Sequence, residues 1–161
     1  MPHTGDKVKF NKLCVIGLGY IGLPTASTFA MHGVETLGVD ISPAIIETLN
    51  RGNIHIHEPG LREAFTTALQ SGKFKAALKP TEADAFIIAV PTPFKENETG
   101  SYKGATYKLA DMRAVMAAAE SIVPYLQKGN IVILESTSPP RTTIDLLAPI
   151  LEKSTLKAGS D

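Results

Sequence analysis

Three glycines in the string Gly17-Leu18-Gly19-Tyr20-Ile21-Gly22 have the GxGxxG spacing, and they stand between a short apolar run and a helical pattern. That chemistry is the binding of a diphosphate. Gly17 permits a tight turn, Gly19 lets the main chain approach a pyrophosphate without a Cβ, and Gly22 lets the following helix lie close to the strand. The free N–H groups around Tyr20 and Ile21, at the positive end of the helix dipole, would hold the anion. Asp40 follows Gly22 by eighteen residues, the place for a carboxylate that accepts hydrogen bonds from the adenosine ribose hydroxyls and repels a 2′-phosphate. The expected cofactor is therefore NAD rather than NADP.

Two further polar groups fall at the ends of apolar runs. Val90-Pro91-Thr92 closes Phe86-Ile87-Ile88-Ala89, and Glu135-Ser136-Thr137 closes Ile131-Val132-Ile133-Leu134. In open parallel sheets ligands occupy the crevice at the carboxyl ends of strands, which places Val90, Pro91, Thr92, Glu135, Ser136 and Thr137 within reach of cofactor or substrate. Thr92 and Ser136 serve equally well as turn caps. His55 and His57 lack a third ligand at zinc spacing, so no metal site is expected and they are read as loop or cofactor-rim packing. Cys14, the one cysteine, lies mid-strand among apolar residues with nothing to lower its pKa and reads as a small buried hydrophobe.

These groups need a scaffold. The 161 residues are 43% apolar and 20% charged, with sixteen basic and sixteen acidic side chains. This is the composition of one folded domain, without the basic excess of a nucleic-acid or membrane-surface binder. A lone cysteine fits a reducing, cytoplasmic setting, and no apolar run approaches the length of a bilayer span. Residues 1–11 read as a loose lead-in and 12–161 as the domain.

Strands are expected at Leu13–Ile16, Glu35–Val39, Phe74–Leu78, Phe86–Val90 and Ile131–Leu134. The first, fourth and fifth are apolar enough to be buried on both faces. Helices are expected at 20–32, 43–51, 61–70, 109–126 and 142–152. Ser42-Pro43 forms an N-cap and first turn, and Pro124 bends or ends the fourth helix. Residues 95–107, long and polar, are either a lid over the crevice or a mobile loop. Alternation of strand and helix specifies an α/β, Rossmann-like, doubly wound parallel sheet in three αβα layers, in strand order 3-2-1-4-5.

With these residues in place the chain resembles the UDP-glucose/GDP-mannose dehydrogenase family. The matching strings are VIGLGYIGLP (15–24), GVD (38–40), RGNIHIHEPGL (51–61), AVPTPFK (89–95) and ILESTSP (133–139). The last three together are similar to its UDP-N-acetylmannosamine branch. The resemblance implies a homo-oligomeric, NAD-dependent oxidoreductase that converts the primary alcohol of a UDP-sugar to a carboxylate in two hydride transfers, for cell-surface polysaccharide. It implies that Gly17, Gly19, Gly22 and Asp40 bind NAD, that Pro91 and Thr92 lie near the nicotinamide, and that Thr137 positions water or the sugar alcohol. It also implies a sixth strand, a UDP-binding domain and a catalytic cysteine, all missing from this sequence, so the chain alone is expected to be inactive. A dehydrogenase for UDP-N-acetylglucosamine or UDP-glucose, and a stand-alone dinucleotide-binding module, remain alternatives. Arg141 stands where many members have glycine, so the loop after Pro140 is expected to differ in shape or to add a cation.

Overall fold

A computed structural model describes residues 10–161; residues 1–9 of the expected lead-in lie outside the described residues. Five parallel strands form the central sheet in the order β3-β2-β1-β4-β7. They are β1 (Lys12–Ile16), β2 (Glu35–Val39), β3 (Phe74–Ala77), β4 (Ala85–Ile88) and β7 (Ile131–Leu134). Counted within the sheet, this is the 3-2-1-4-5 order that the strand–helix alternation requires. Cys14 lies beside Leu37 on one side and Phe86 on the other, and Phe86 beside Val132. The entry to β1 is pinned by Asp84, whose carboxylate accepts the N–H groups of Asn11 (2.8 Å) and Lys12 (2.9 Å).

Side-chain alternation along the strands divides the core into two. Leu13, Val15, Ala85 and Ile87 face α1 (Gly22–Met31), α2 (Pro43–Asn50) and α3 (Leu61–Gln70). Leu23, Ala26, Leu49, Phe65 and Ala68 fill that layer, with Phe65 edge-on to Phe74 at 5.2 Å between ring centres. Cys14, Ile16, Phe86 and Ile88 face the other way. They meet Val115, Ala119 and Ile122 of α4 (Arg113–Ile122), and Leu147 and Ile150 near α5 (Ala148–Leu151). Ser42 caps α2 by accepting the Ile45 N–H at 3.4 Å, with Pro43 in the first turn.

The structure departs from the sequence reading in four places. Residues 95–107 are an ordered hairpin rather than a loop without secondary structure. They lie in an antiparallel hairpin of β5 (Phe94–Tyr102) and β6 (Ala105–Ala110). Its turn has positive φ at Lys103 and Gly104, the pairing that suits a two-residue hairpin loop. Tyr107 lies across Gly100, where any Cβ would strike its ring.

Because β6 runs to Ala110, α4 begins at Arg113 rather than near 109, and it gives way to a single 3-10 turn at Val123–Tyr125, around Pro124. The last helix is a composite: a π-helical turn at Thr143–Leu147, then α5, then a 3-10 turn at Glu152–Ser154. Finally, β7 is half-buried on one face, at Val132 and Leu134, and exposed on the other. Ile131 and Ile133 are 42% and 46% exposed, although Ile87, paired with Ile133, is 4% exposed. The helices of that layer cover β1 and β4 and stop short of the sheet edge.

Candidate functional site: a dinucleotide crevice

The carboxyl ends of β1, β2, β4 and β7 open onto a cavity of about 950 Å³. Every residue expected at the coenzyme site lines it except Gly22: Gly17, Gly19, Tyr20, Ile21, Asp40, Val90, Pro91, Thr92, Glu135, Ser136 and Thr137.

The glycines take three distinct jobs. Gly17 has φ +94°, and a Cβ there would lie 2.6 Å from the Ala89 carbonyl oxygen. It turns the chain at the carboxyl end of β1 while its N–H donates to the Val39 carbonyl at 2.7 Å. Gly22 packs against the same turn, with its Cβ position only 1.8 Å from the Gly17 oxygen. Gly19 is different, since nothing stands within 4 Å of the position its Cβ would take, and the residue borders the cavity. That open space beside the main chain is the room a pyrophosphate needs. The start of α1 has no side-chain cap and no acid in its first turn, so its N–H groups and dipole face the crevice without a competing anion from the helix itself.

Asp40 does more than end β2. One carboxylate oxygen accepts the Leu18 N–H at 3.0 Å and the other the Ser42 N–H at 2.9 Å. The side chain thereby locks the glycine turn to the start of α2 and is held rigidly at the crevice. Each oxygen keeps acceptor capacity for a hydroxyl.

On the far wall two hydroxyls clasp the loops after β4 and β7. Thr92 donates to the Thr137 carbonyl at 2.7 Å, and Ser136 donates to the Val90 carbonyl at 2.8 Å. Both hydroxyl protons are therefore used in fixing the crevice wall. Glu135 accepts the Thr25 hydroxyl, at 3.2 and 3.3 Å to its two oxygens, and so links β7 to the first turn of α1.

Other wall residues belong to no binding motif. Ile41, 94% exposed, and Leu78 and Pro80 border the end beside Asp40, and Ala117, Ser121 and Tyr125 border it from the α4 side. Ala117, Ser121 and Tyr125 share one helical face by their four-residue spacing, and the fold brings that face to Ile41, Leu78 and Pro80.

Four residues outside the crevice complete the account. Burial pushes the Cys14 thiol up to about 12, so it stays protonated and unreactive. His55 buries both ring nitrogens without a partner among the described residues, and His57 is exposed. Arg141 has φ +70°, the backbone region glycine favours, and its guanidinium forms a two-pronged contact with Asp145 at 2.8 Å. The loop thus keeps a glycine-like conformation, with the expected cation turned onto the next helical turn.

A family model described as the UDP-glucose/GDP-mannose dehydrogenase family, NAD binding domain, matches residues 11–161. The chain belongs to this family. It is 50% identical over 135 residues to a UDP-N-acetyl-D-mannosamine dehydrogenase of Campylobacter jejuni, covering 84% of this chain and 31% of the relative. It is 49% identical over 136 residues to the protein of that name from Escherichia coli K12, covering 84% and 30%. A solved UDP-N-acetyl-mannosamine dehydrogenase from Staphylococcus aureus superposes with a TM-score of 0.82 at 46% identity, over 91% of this chain and 34% of that one. A GDP-mannose dehydrogenase from Pseudomonas aeruginosa gives 0.80 at 28%, over 92% and 34%. The chain therefore spans about a third of the length of the relatives it matches.

NAD is the cofactor of this domain, and the crevice suits it. The open side of Gly19 and the uncapped α1 fit the diphosphate, and Asp40 fits a ribose. When bound, NAD supplies the hydride-accepting ring; the residues of this chain bind and orient it. Among the described residues no helix is long and apolar enough to cross a membrane.

Proposed function

We propose that this chain is the coenzyme-holding part of a dehydrogenase that oxidises the primary alcohol of UDP-N-acetyl-D-mannosamine to the carboxylate, using two NAD. In this reading Gly17, Gly19, Tyr20, Ile21, Gly22 and Asp40 hold the diphosphate and the adenosine ribose. Val90, Pro91, Thr92, Glu135 and Ser136 border the nicotinamide half, and Thr137 positions a water or the sugar hydroxyl. The observation that carries it is the identity gradient. Curated relatives named for UDP-N-acetylmannosamine stand at 46–50%, and solved ones at 46% and, for the Pyrococcus horikoshii protein, 34%. Solved dehydrogenases named for GDP-mannose, UDP-glucose and NDP-N-acetylgalactosaminuronic acid stand at 28–34%.

The 161 residues hold the coenzyme without turning over the sugar. Aldehyde oxidation by hydride transfer needs an attached nucleophile or an activated water, and the single thiol, Cys14, is buried in the sheet. The working protein is a cytoplasmic homo-oligomer acting in polysaccharide synthesis, with the UDP-sugar as its partner and no nucleic acid or membrane involved.

The test has two parts. Calorimetric titration of the chain with NAD should give saturable heat, and addition of UDP-N-acetylmannosamine should produce no NADH. The complete reading frame should reduce NAD with UDP-N-acetylmannosamine in preference to UDP-N-acetylglucosamine and UDP-glucose. Turnover by the chain alone, or preference for another sugar, overturns the proposal.

A further inference from the structure

We propose that Glu135 is the group by which the crevice tells oxidised from reduced coenzyme, an inference that rests on the dinucleotide reading above. Among the described residues four charged side chains line the cavity: Asp40, Lys79, Glu120 and Glu135. Asp40 has both oxygens engaged by backbone N–H groups, and Glu120 is paired with Lys153 at 3.1 Å. The carboxylate of Glu135 meets only a neutral hydroxyl, that of Thr25, and no cation among the described residues. It therefore carries a negative charge with no ion-pair partner among the described residues, held in place by the Thr25 contact and by its own N–H, which donates to the Ile88 carbonyl at 2.9 Å.

Position decides which part of the ligand feels that charge. Asp40 ends β2 and Glu135 follows β7, and in the order β3-β2-β1-β4-β7 these strands are three spacings apart, about 14 Å. An extended dinucleotide with its adenosine ribose at Asp40 and its diphosphate at Gly19 brings its nicotinamide end to the Pro91, Thr92 and Glu135 side. The two redox forms differ there in one respect that a carboxylate senses: the oxidised ring carries a positive charge and the reduced ring is neutral. Glu135 favours the first and is indifferent to the second. Because the side chain is exposed, solvent and salt screen the effect, which holds it to about fivefold in affinity.

Isothermal titration of the wild-type chain and of Glu135→Gln, with NAD+ and with NADH separately, tests this. Gln keeps the shape and an acceptor for Thr25 while losing the charge. The expected result is NAD+ binding weakened about fivefold in Glu135→Gln, with NADH unchanged within about twofold and the difference fading between about 0.05 and 0.5 M salt. Glu135→Asp, which keeps the charge, should retain the preference, and it serves as the second variant if Gln impairs folding. Equal weakening of both coenzymes, no change in either, or a difference insensitive to salt overturns the inference while leaving the dinucleotide site intact. Failure of the wild-type chain to bind either coenzyme overturns the site reading itself, and this inference with it.

Discussion

Substituting alanine at Gly22 and at Gly19, three residues apart in one loop, should produce opposite failures. A Cβ on Gly22 would lie 1.8 Å from the Gly17 carbonyl oxygen. To restore even the shortest contact real Cβ atoms make, 3.0 Å, α1 and the turn must separate by at least about 1.2 Å. The helix is not free to move, because Leu23, Ala26 and Ala30 are fully buried against the sheet. Forced overpacking of this kind costs about 1–3 kcal/mol, which in a domain of this size lowers Tm by roughly 3–10 °C.

A Cβ on Gly19 meets nothing within 4 Å, and the backbone there is not in the left-handed region, so Gly19→Ala should melt within about 2 °C of wild type. That methyl group instead occupies the space proposed for the pyrophosphate. It displaces charge-assisted N–H contacts of about 1.5–3 kcal/mol, a loss of about ten- to a hundredfold in NAD affinity. Differential scanning fluorimetry and calorimetric titration on both variants measure the two quantities independently. If Gly19→Ala binds NAD like wild type, or Gly22→Ala melts like wild type, the division of labour among the glycines is wrong.

Asp40→Ala should weaken NAD binding by about tenfold or more and narrow the gap to NADP. It should also lower stability by about 1–3 kcal/mol, because the Leu18 and Ser42 N–H groups lose their acceptor; parallel titrations with both coenzymes and urea unfolding check this. Ile87→Ala should cost about 2–5 kcal/mol in urea unfolding, whereas Ile133→Lys, one strand over on the same face, should cost less than about 1 kcal/mol because that side chain is already 46% exposed. Cys14 should resist a thiol reagent in the folded chain and react as one thiol per chain in guanidinium. Its folded pKa, about 12, lies above the ordinary value of 9.0. The stability it contributes is therefore present below pH 9 and declines as pH rises towards 12, and the decline should be shallower in Cys14→Ala.

Those residues also mark what the sequence could and could not say. The strand order was legible because buried parallel strands must be apolar throughout and must be joined by helical crossovers, so Leu13–Ile16 and Phe86–Ile88 had one consistent arrangement. The glycine turn and its contact with Asp40 were legible because a tight strand-to-helix turn needs glycine at fixed local positions. The hairpin escaped notice because Lys95–Tyr107 has both faces in water, and without a buried face no alternation marks a strand. The half-bare β7 was misjudged for the opposite reason: an apolar run shows that a residue suits burial, whereas what covers it depends on where helices from elsewhere end. The wall of Ile41, Leu78 and Pro80 was beyond reach since it meets the α4 residues only in three dimensions. Thr92 and Ser136 border the crevice, and that their protons are committed to the clasp between loops follows from contacts some 45 residues apart in the chain, which no local spacing reveals.

The outer margin of β7 has its own consequence for the behaviour of the isolated chain. The strand ends the sheet as Ile-Val-Ile-Leu, with no lysine, proline or bulge along it, the features that usually discourage intermolecular pairing. Two such margins are mutually complementary in both their amide rows and their greasy flanks. Light scattering that climbs steeply with protein concentration, and subsides when a charge is introduced at Ile131, would reveal this cohesion.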